Sequence, residues 1–249
     1  TGLLREAQYK LQSVKEKYPK EPRTLLLEAL AMMKLGQLKK AMELTNQNLE
    51  TNQSNAKAWR LKGEINILMA DYEQAIIDLK KSKSLTDEPV TRLSLAKAYI
   101  RAKQDENAIT ELKTTIDLPE APAEARMLLG QIYLRLGRKV ELKKLYDQTL
   151  KQFPESTFWY SRAAAFAMNE GDVGRAEELY KQSLQKTQKD DENGAAAIDE
   201  HLQVLIAAGK PDKVFEEGGK YVDGDFAAVV LVRMAEAELK LGDKESAVQ

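Results

Sequence analysis

Apolar and polar positions alternate along this chain with the period of amphipathic helices. Between residues 56 and 89, Trp59, Gly63 and Ile67 recur at i, i+4 and i+8, the spacing of one helical face. Asp71-Tyr72 interrupts that pattern, and Tyr72, Ala75, Ile76 and Leu79 then draw the apolar stripe of a second helix. The unit is therefore a helix pair. It repeats: Ala7, Ala41, Ala75, Ala108 and Ala176 share one phase, and Leu142, Val214 and Ala247 fill its remaining slots, about every 34 positions. Five residues earlier a glycine keeps the same rhythm, at Gly2, Gly36, Gly137, Gly171, Gly209 and Gly242.

Each recurring residue type has a physical reason. A glycine between two helices suits a left-handed backbone, which a Cβ would strain. A small residue early in the second helix lets two helix backbones approach closely, so Ala41, Ala75, Ala108 and Ala176 are expected to be buried at crossings. Tyr18-Pro19 and Phe153-Pro154 break the chain between units. Self-similarity of this kind predicts a stacked array without one central core, and places function on an extended surface rather than in a catalytic pocket.

The pattern resembles the tetratricopeptide repeat family over nearly the whole chain. Residues 123 to 156 carry Leu129-Gly130, Tyr133, Gly137, Tyr146 and Pro154; residues 89 to 122 carry Leu95-Ala96, Tyr99, Ala108 and Leu112. Trp59, Gly63, Tyr72 and Ala75 mark the unit from Ala56, and Tyr160, Ala164, Gly171, Ala176 and Tyr180 mark that from Thr157. A plainer copy runs from Pro22, with Ala29, Gly36 and Ala41. The resemblance implies an all-α, right-handed superhelical solenoid of stacked antiparallel helix pairs. On this reading residues 1–249 form a single array. Repeats begin near 22, 56, 89, 123, 157, 195 and 228, and residues 1–21 supply only a second helix. Neither end reads as a polar cap, so the array is expected to be truncated or to continue in a parent protein. The unit from Ala195 is irregular. An insertion around Asp190-Asp191-Glu192-Asn193-Gly194 precedes it, and Gly218-Gly219 stand where other copies carry a bulky residue. Drift in a degenerate repeat, a soft hinge, and a close approach of another backbone all remain open there.

Composition narrows the functional classes. The net charge of −1 in a chain with 31% charged residues gives no global attraction to nucleic acid or anionic membrane. There is no cysteine, which removes disulfides and thiolate metal sites and fits the cytosol and bacterial export alike. No apolar run approaches the roughly 20 residues of a spanning helix. His201, the single histidine, occupies a slot filled elsewhere by Leu95, Leu129 or Met234, so a structural role is expected. No catalytic or phosphate-binding motif is present, and Asp190-Asp191-Glu192 lacks the spaced oxygens of a calcium loop. No enzyme activity, metal or cofactor is expected. The aromatic residues Trp59, Tyr99, Tyr133, Tyr160 and Tyr180 fall at repeat-packing slots.

By the resemblance, the first helix of each unit lines the concave groove. Over the first four units its groove positions hold seven basic residues, Arg23, Lys34, Lys57, Arg60, Lys97, Arg101 and Arg135, against two acidic ones, Glu64 and Glu124. The expected binding residues are Leu26, Leu30, Arg60, Leu93, Lys97, Arg101, Met127 and Arg135. Such a face would take a protein or peptide segment with acidic and apolar side chains. Glu64 and the leucines at 26 and 30 spoil the lysine–asparagine pattern by which some family members grip a carboxyl terminus. The expected function is a non-catalytic interaction scaffold. The alternative is a spacer or self-assembly segment of a larger machine, such as a bacterial envelope or polysaccharide-export assembly, associating through its ends.

Overall fold

A computed structural model describes residues 21–186 and 194–242. Among them the chain is all α-helix with one short 3-10 turn and no strand. It divides into two compact units, Thr1–Gly137 and Arg138–Gln249. The first contains α1 (Pro22–Lys34), α2 (Leu38–Thr51), α3 (Ala56–Leu68), α4 (Tyr72–Leu85), α5 (Pro89–Arg101), α6 (Asp105–Ile116) and α7 (Ala123–Arg135). The second contains α8 (Lys139–Gln152), α9 (Thr157–Asn169), α10 (Val173–Lys186), α11 (Gly194–Ala207), α12 (Pro211–Gly218), a 3-10 turn (Gly219–Tyr221) and α13 (Ala227–Leu241). Residues 1–20, expected to hold a lone second helix, lie outside the described residues, as do Asp190-Asp191-Glu192 and the chain beyond Gly242.

The helices start and stop for local reasons. Pro22, Pro89 and Pro211 stand in the first turn of α1, α5 and α12, where no amide hydrogen is missed. Asn55, Asp71 and Asp172 each accept a hydrogen bond from the backbone N–H three residues on, capping α3, α4 and α10. Most first helices end in one motif. In α1 the chain turns left-handed at Gly36 (φ 75°), and the Gln37 N–H reaches back to the Met32 carbonyl at 2.9 Å. Gly171 and Gly209 repeat this turn. At Ala70 (φ 63°) and Lys103 (φ 59°) the same conformation is imposed on residues with a Cβ.

Within each unit, neighbouring helices pack along the stack. In the first, α1 lies on α2, α3 on α4 and α5 on α6; each second helix also packs on the next first helix. Ala41, Ala75, Ala108 and Ala176 are all fully buried (0% exposed), as a close crossing requires. Gly63 marks the tightest: a Cβ there would sit 2.5 Å from Leu79 Cγ and 3.1 Å from the Ala75 carbonyl oxygen. Tyr99, Tyr133, Tyr160 and Tyr180 are buried core residues, whereas Trp59 is half-buried and its indole N–H donates to the Gln53 carbonyl at 2.7 Å.

A second, polar periodicity ties each pair together. Asn48, Ser82 and Ser183, buried on α2, α4 and α10, each donate to the first backbone carbonyl of their own unit's first helix: Pro22, Ala56 and Thr157. These bonds satisfy a buried polar side chain and fix how the second helix meets the start of the first.

The irregular region is in α11 to α13. The α12 helix has eight residues, where the other described α-helices have 12 to 15. Gly218 and Gly219 keep right-handed backbone angles. Gly218 is buried, and a Cβ on it would lie 3.0 Å from Val230 Cγ1. A side chain of α13 thus occupies the space that a bulky residue holds in other copies.

Candidate functional site

The first-helix face of the first unit is built from α1, α3, α5 and α7. A cleft of about 720 Å³ lies where the N-terminal turns of α1 and α3 meet the connections at 52–55 and 86–88. Leu26 and Leu27 supply apolar lining, and Leu27 is 54% exposed. Arg23 and Lys57, both exposed, stand at the cleft with Glu88, and neither cation pairs with an acid among the described residues. Pro22 starts α1 and the Asn55 cap starts α3, and the first turns of both helices line the cleft.

The eight expected residues fare differently. Leu26 lines the cleft, and Leu30, 40% exposed, follows one turn later on α1. Arg60 is half-buried and pairs with Glu64 at 3.4 Å; the same Glu64 oxygen accepts from Ser94 Oγ at 2.8 Å. Lys97 pairs with Glu124 at 2.8 Å, and Arg135 with Asp105 at 2.8 Å. Arg101 is exposed and makes no ion pair among the described residues, while Met127 is half-buried. Leu93 corrects the expectation: it is buried, at 6% exposure. Most of α5 is enclosed by its neighbours, so Leu93 serves packing and offers no surface to a ligand. Three of the seven cations of the stripe, Arg60, Lys97 and Arg135, are thus paired in place, and Arg23, Lys34, Lys57 and Arg101 make no ion pair among the described residues. Sequence reasoning passed over Leu27 and the connections at 52–55 and 86–88, because groove positions were counted on helices alone.

His201 is buried on α11 at 3% exposure, in the core slot its neighbours imply. Burial holds its imidazole below the usual histidine range, against the pull of Glu217 and Glu177. Its Nδ1 has no hydrogen-bond partner. No group of three or more potential metal ligands exists among the described residues. No described helix is long and apolar enough to cross a membrane.

Stacked antiparallel helix pairs of about 34 residues, closed on small residues and ended by left-handed turns, define a helical-repeat protein. The sequence matches the tetratricopeptide repeat family at residues 93–141 and 143–192. No curated protein matches it by sequence. Among solved structures it is similar to YrrB, a TPR protein with an unusual peptide-binding site, at 18% identity and TM-score 0.52, covering 80% of this chain and 97% of that one. It is also similar to a tetratricopeptide repeat protein from Parabacteroides merdae (17% identity, TM-score 0.56, 91% and 89% covered). A third is pilF of Pseudomonas aeruginosa (14% identity, TM-score 0.58, 83% and 95% covered). At these identities the likeness is one of fold.

Proposed function

We propose that this protein is a non-catalytic interaction scaffold, its repeats forming a single array, and that the first-helix face of residues 22–135 holds an extended segment of a partner protein. The observation that carries this reading is the 720 Å³ cleft, in which Leu26 and Leu27 lie beside the unpaired cations Arg23 and Lys57. Apolar side chains of the partner would supply affinity by burial, and its carboxylates would speed encounter. Leu30, Arg60, Lys97, Arg101, Met127 and Arg135 extend the contact along the face. The ion pair Lys97–Glu124 is exposed enough to contribute little, so a partner's carboxylate can displace Glu124. The peptide-binding site named for YrrB agrees with this use of the fold.

The test starts from a partner recovered with the intact protein and reduced to its binding segment. That segment is titrated against wild type, R23E/K57E, L26D, and K210E/K213E in the second unit. The cleft variants should weaken binding at least tenfold and flatten its salt dependence, with helicity and the K210E/K213E control unchanged. Wild-type affinity in both cleft variants would refute the assignment. A second reading, self-association, draws on α13, where Leu231, Val232, Leu239 and Leu241 are each at least half exposed. A sedimentation coefficient independent of concentration would remove it.

A further inference from the structure

The second unit has its own concavity, unrelated to the cleft just described. It is a cavity of about 320 Å³ between α9 and α11, the first helices of successive pairs. Ala165, Ala196 and Ala197 make its small-residue walls, and Phe158, Arg162 and Glu200 complete it. Two polar groups there keep hydrogen-bonding capacity unused: one oxygen of the Glu200 carboxyl, whose group also interacts with Ser161, and the exposed Arg162 guanidinium. Glu200 Oε2 is closed off from solvent and accepts no hydrogen bond. Arg162 lies over the Phe158 ring, 5.2 Å from its centroid, and forms no ion pair among the described residues. A buried carboxylate oxygen without a donor is costly, and groups of this kind call for an explanation. Its burial shows in the Glu200 carboxyl, which is raised above the ordinary glutamate range by desolvation, with Ser161 and Arg162 drawing it partly back.

The chemistry of the vacant contacts selects the ligand. An ammonium group would satisfy Glu200 but would meet the Arg162 guanidinium. A carboxylate would satisfy Arg162 but would face Glu200. An aliphatic group would leave the buried Glu200 oxygen without a donor. A primary carboxamide carries an N–H donor and a carbonyl acceptor on one neutral plane and complements both. The alanine walls leave room for its methylene stem, and the cavity stands at the small end of ligand pockets, the scale of an inserted side chain. We propose that the cavity between α9 and α11 is a recognition subsite for a glutamine or asparagine side chain of a partner segment. In it the carboxamide N–H donates to Glu200 Oε2, and the carbonyl accepts from Arg162. The subsite stands whether or not the first-unit cleft takes a partner.

The test uses the full chain, isotope-labelled, with four capped amino acids as probes: the N-acetyl methylamides of glutamine, glutamate, lysine and leucine. All four carry the same backbone amides, so differences among them isolate the side chain. The glutamine probe should shift the resonances of Ser161, Arg162, Ala196 and Ala197 with a dissociation constant in the ~mM range, at least fivefold tighter than the other three. It should also lower the titration midpoint of the Glu200 carboxyl, because a donated hydrogen bond favours the ionised form. E200Q should bind at least tenfold more weakly with unchanged circular dichroism. A196F, which fills the cavity and leaves both polar groups in place, should abolish the effect. Equal shifts from all four probes would assign the contacts to backbone amides and overturn the proposal. So would a tighter lysine probe, no shift from the glutamine probe, or E200Q and A196F variants that bind as wild type.

Discussion

Replacing Gly63 by alanine tests the packing that makes this fold. In an isolated helix the change should stabilise by about 1 kcal/mol, because glycine is a poor helix former. Here the added methyl carbon would lie 2.5 Å from Leu79 Cγ and 3.1 Å from the Ala75 carbonyl oxygen. Carbon atoms in contact prefer about 3.5–4.0 Å, so the overlap with Leu79 is about 1 Å. Leu79 is fully buried and has no exposed space to swing into. The Ala75 oxygen belongs to the backbone of α4, and relieving that contact requires α3 and α4 to part. Overpacking of this sort costs roughly 1–3 kcal/mol, and the backbone contact points to the upper half of that range. After the propensity gain the net loss should be about 1–2 kcal/mol.

Gly174 provides the control. It lies in α10 with nothing within 4 Å of an added Cβ, so Gly174→Ala should be neutral or slightly stabilising. Urea denaturation followed by far-UV circular dichroism measures both. Repeat arrays can open in parts, so the slope with denaturant should be compared as well as the midpoint. In a Leu79→Ala background the Cγ overlap is gone, and G63A should cost at least about 1 kcal/mol less than in wild type. If G63A is as stable as G174A, or the cost persists unchanged beside Ala at 79, the crossing is not the close contact described.

Three further outcomes follow from the same geometry. Gly36→Ala meets no atom within 4 Å but must hold φ 75°, so it should lose about 1 kcal/mol by strain alone; Lys103→Gly, at φ 59°, should be neutral or stabilising by up to about 1 kcal/mol, and urea midpoints decide both. His201 is buried with its pKa depressed below the unfolded value of 6.5, so the unfolded state takes up the proton first and stability should fall as pH drops below about 6.5, with Glu177 and Lys181 on α10, Glu217 on α12 and Lys220 in the 3-10 turn setting its extent. His201→Met should flatten that part of the pH–stability curve; an unchanged curve would place the acid sensitivity elsewhere. Native-state hydrogen exchange should be faster over residues 211–226 than over α5 and α6, because an eight-residue helix followed by a 3-10 turn holds few protected amides; equal protection would remove the weak point.

The sequence made the repeat legible because packing constraints recur at fixed positions. The alanines at 41, 75, 108 and 176 could be read as buried because only a small side chain fits a helix crossing, and the structure buries all four. The left-handed turns could be read from glycine at 36, 171 and 209, but not from Ala70 and Lys103, which adopt the turn against their own preference. There the packing of the flanking helices outweighs about 1–2 kcal/mol of local strain. The polar pins Asn48, Ser82 and Ser183 were equally periodic and went unread, because a hydrophobic pattern treats a buried serine as noise.

The binding face was less legible because charge on a helix surface has no fixed partner. Counting cations along first helices predicts a basic stripe, but Asp105 on the second helix α6 takes up Arg135, and Glu124 takes up Lys97. Both acids belong to neighbouring helices, and pairings across that distance depend on stacking geometry rather than on helical phase. Of the cations left unpaired, Arg23 and Lys57 are the two that stand at a cleft, beside Leu26 and Leu27 and two connections. A repeat scaffold holds its helices by the same residues in every unit, so its specificity has to come from such departures from the repeat. The same reasoning singles out Glu200 and Arg162. Neither is demanded by packing, each leaves hydrogen-bonding capacity unused, and they share one cavity between helices that the repeat itself brings together.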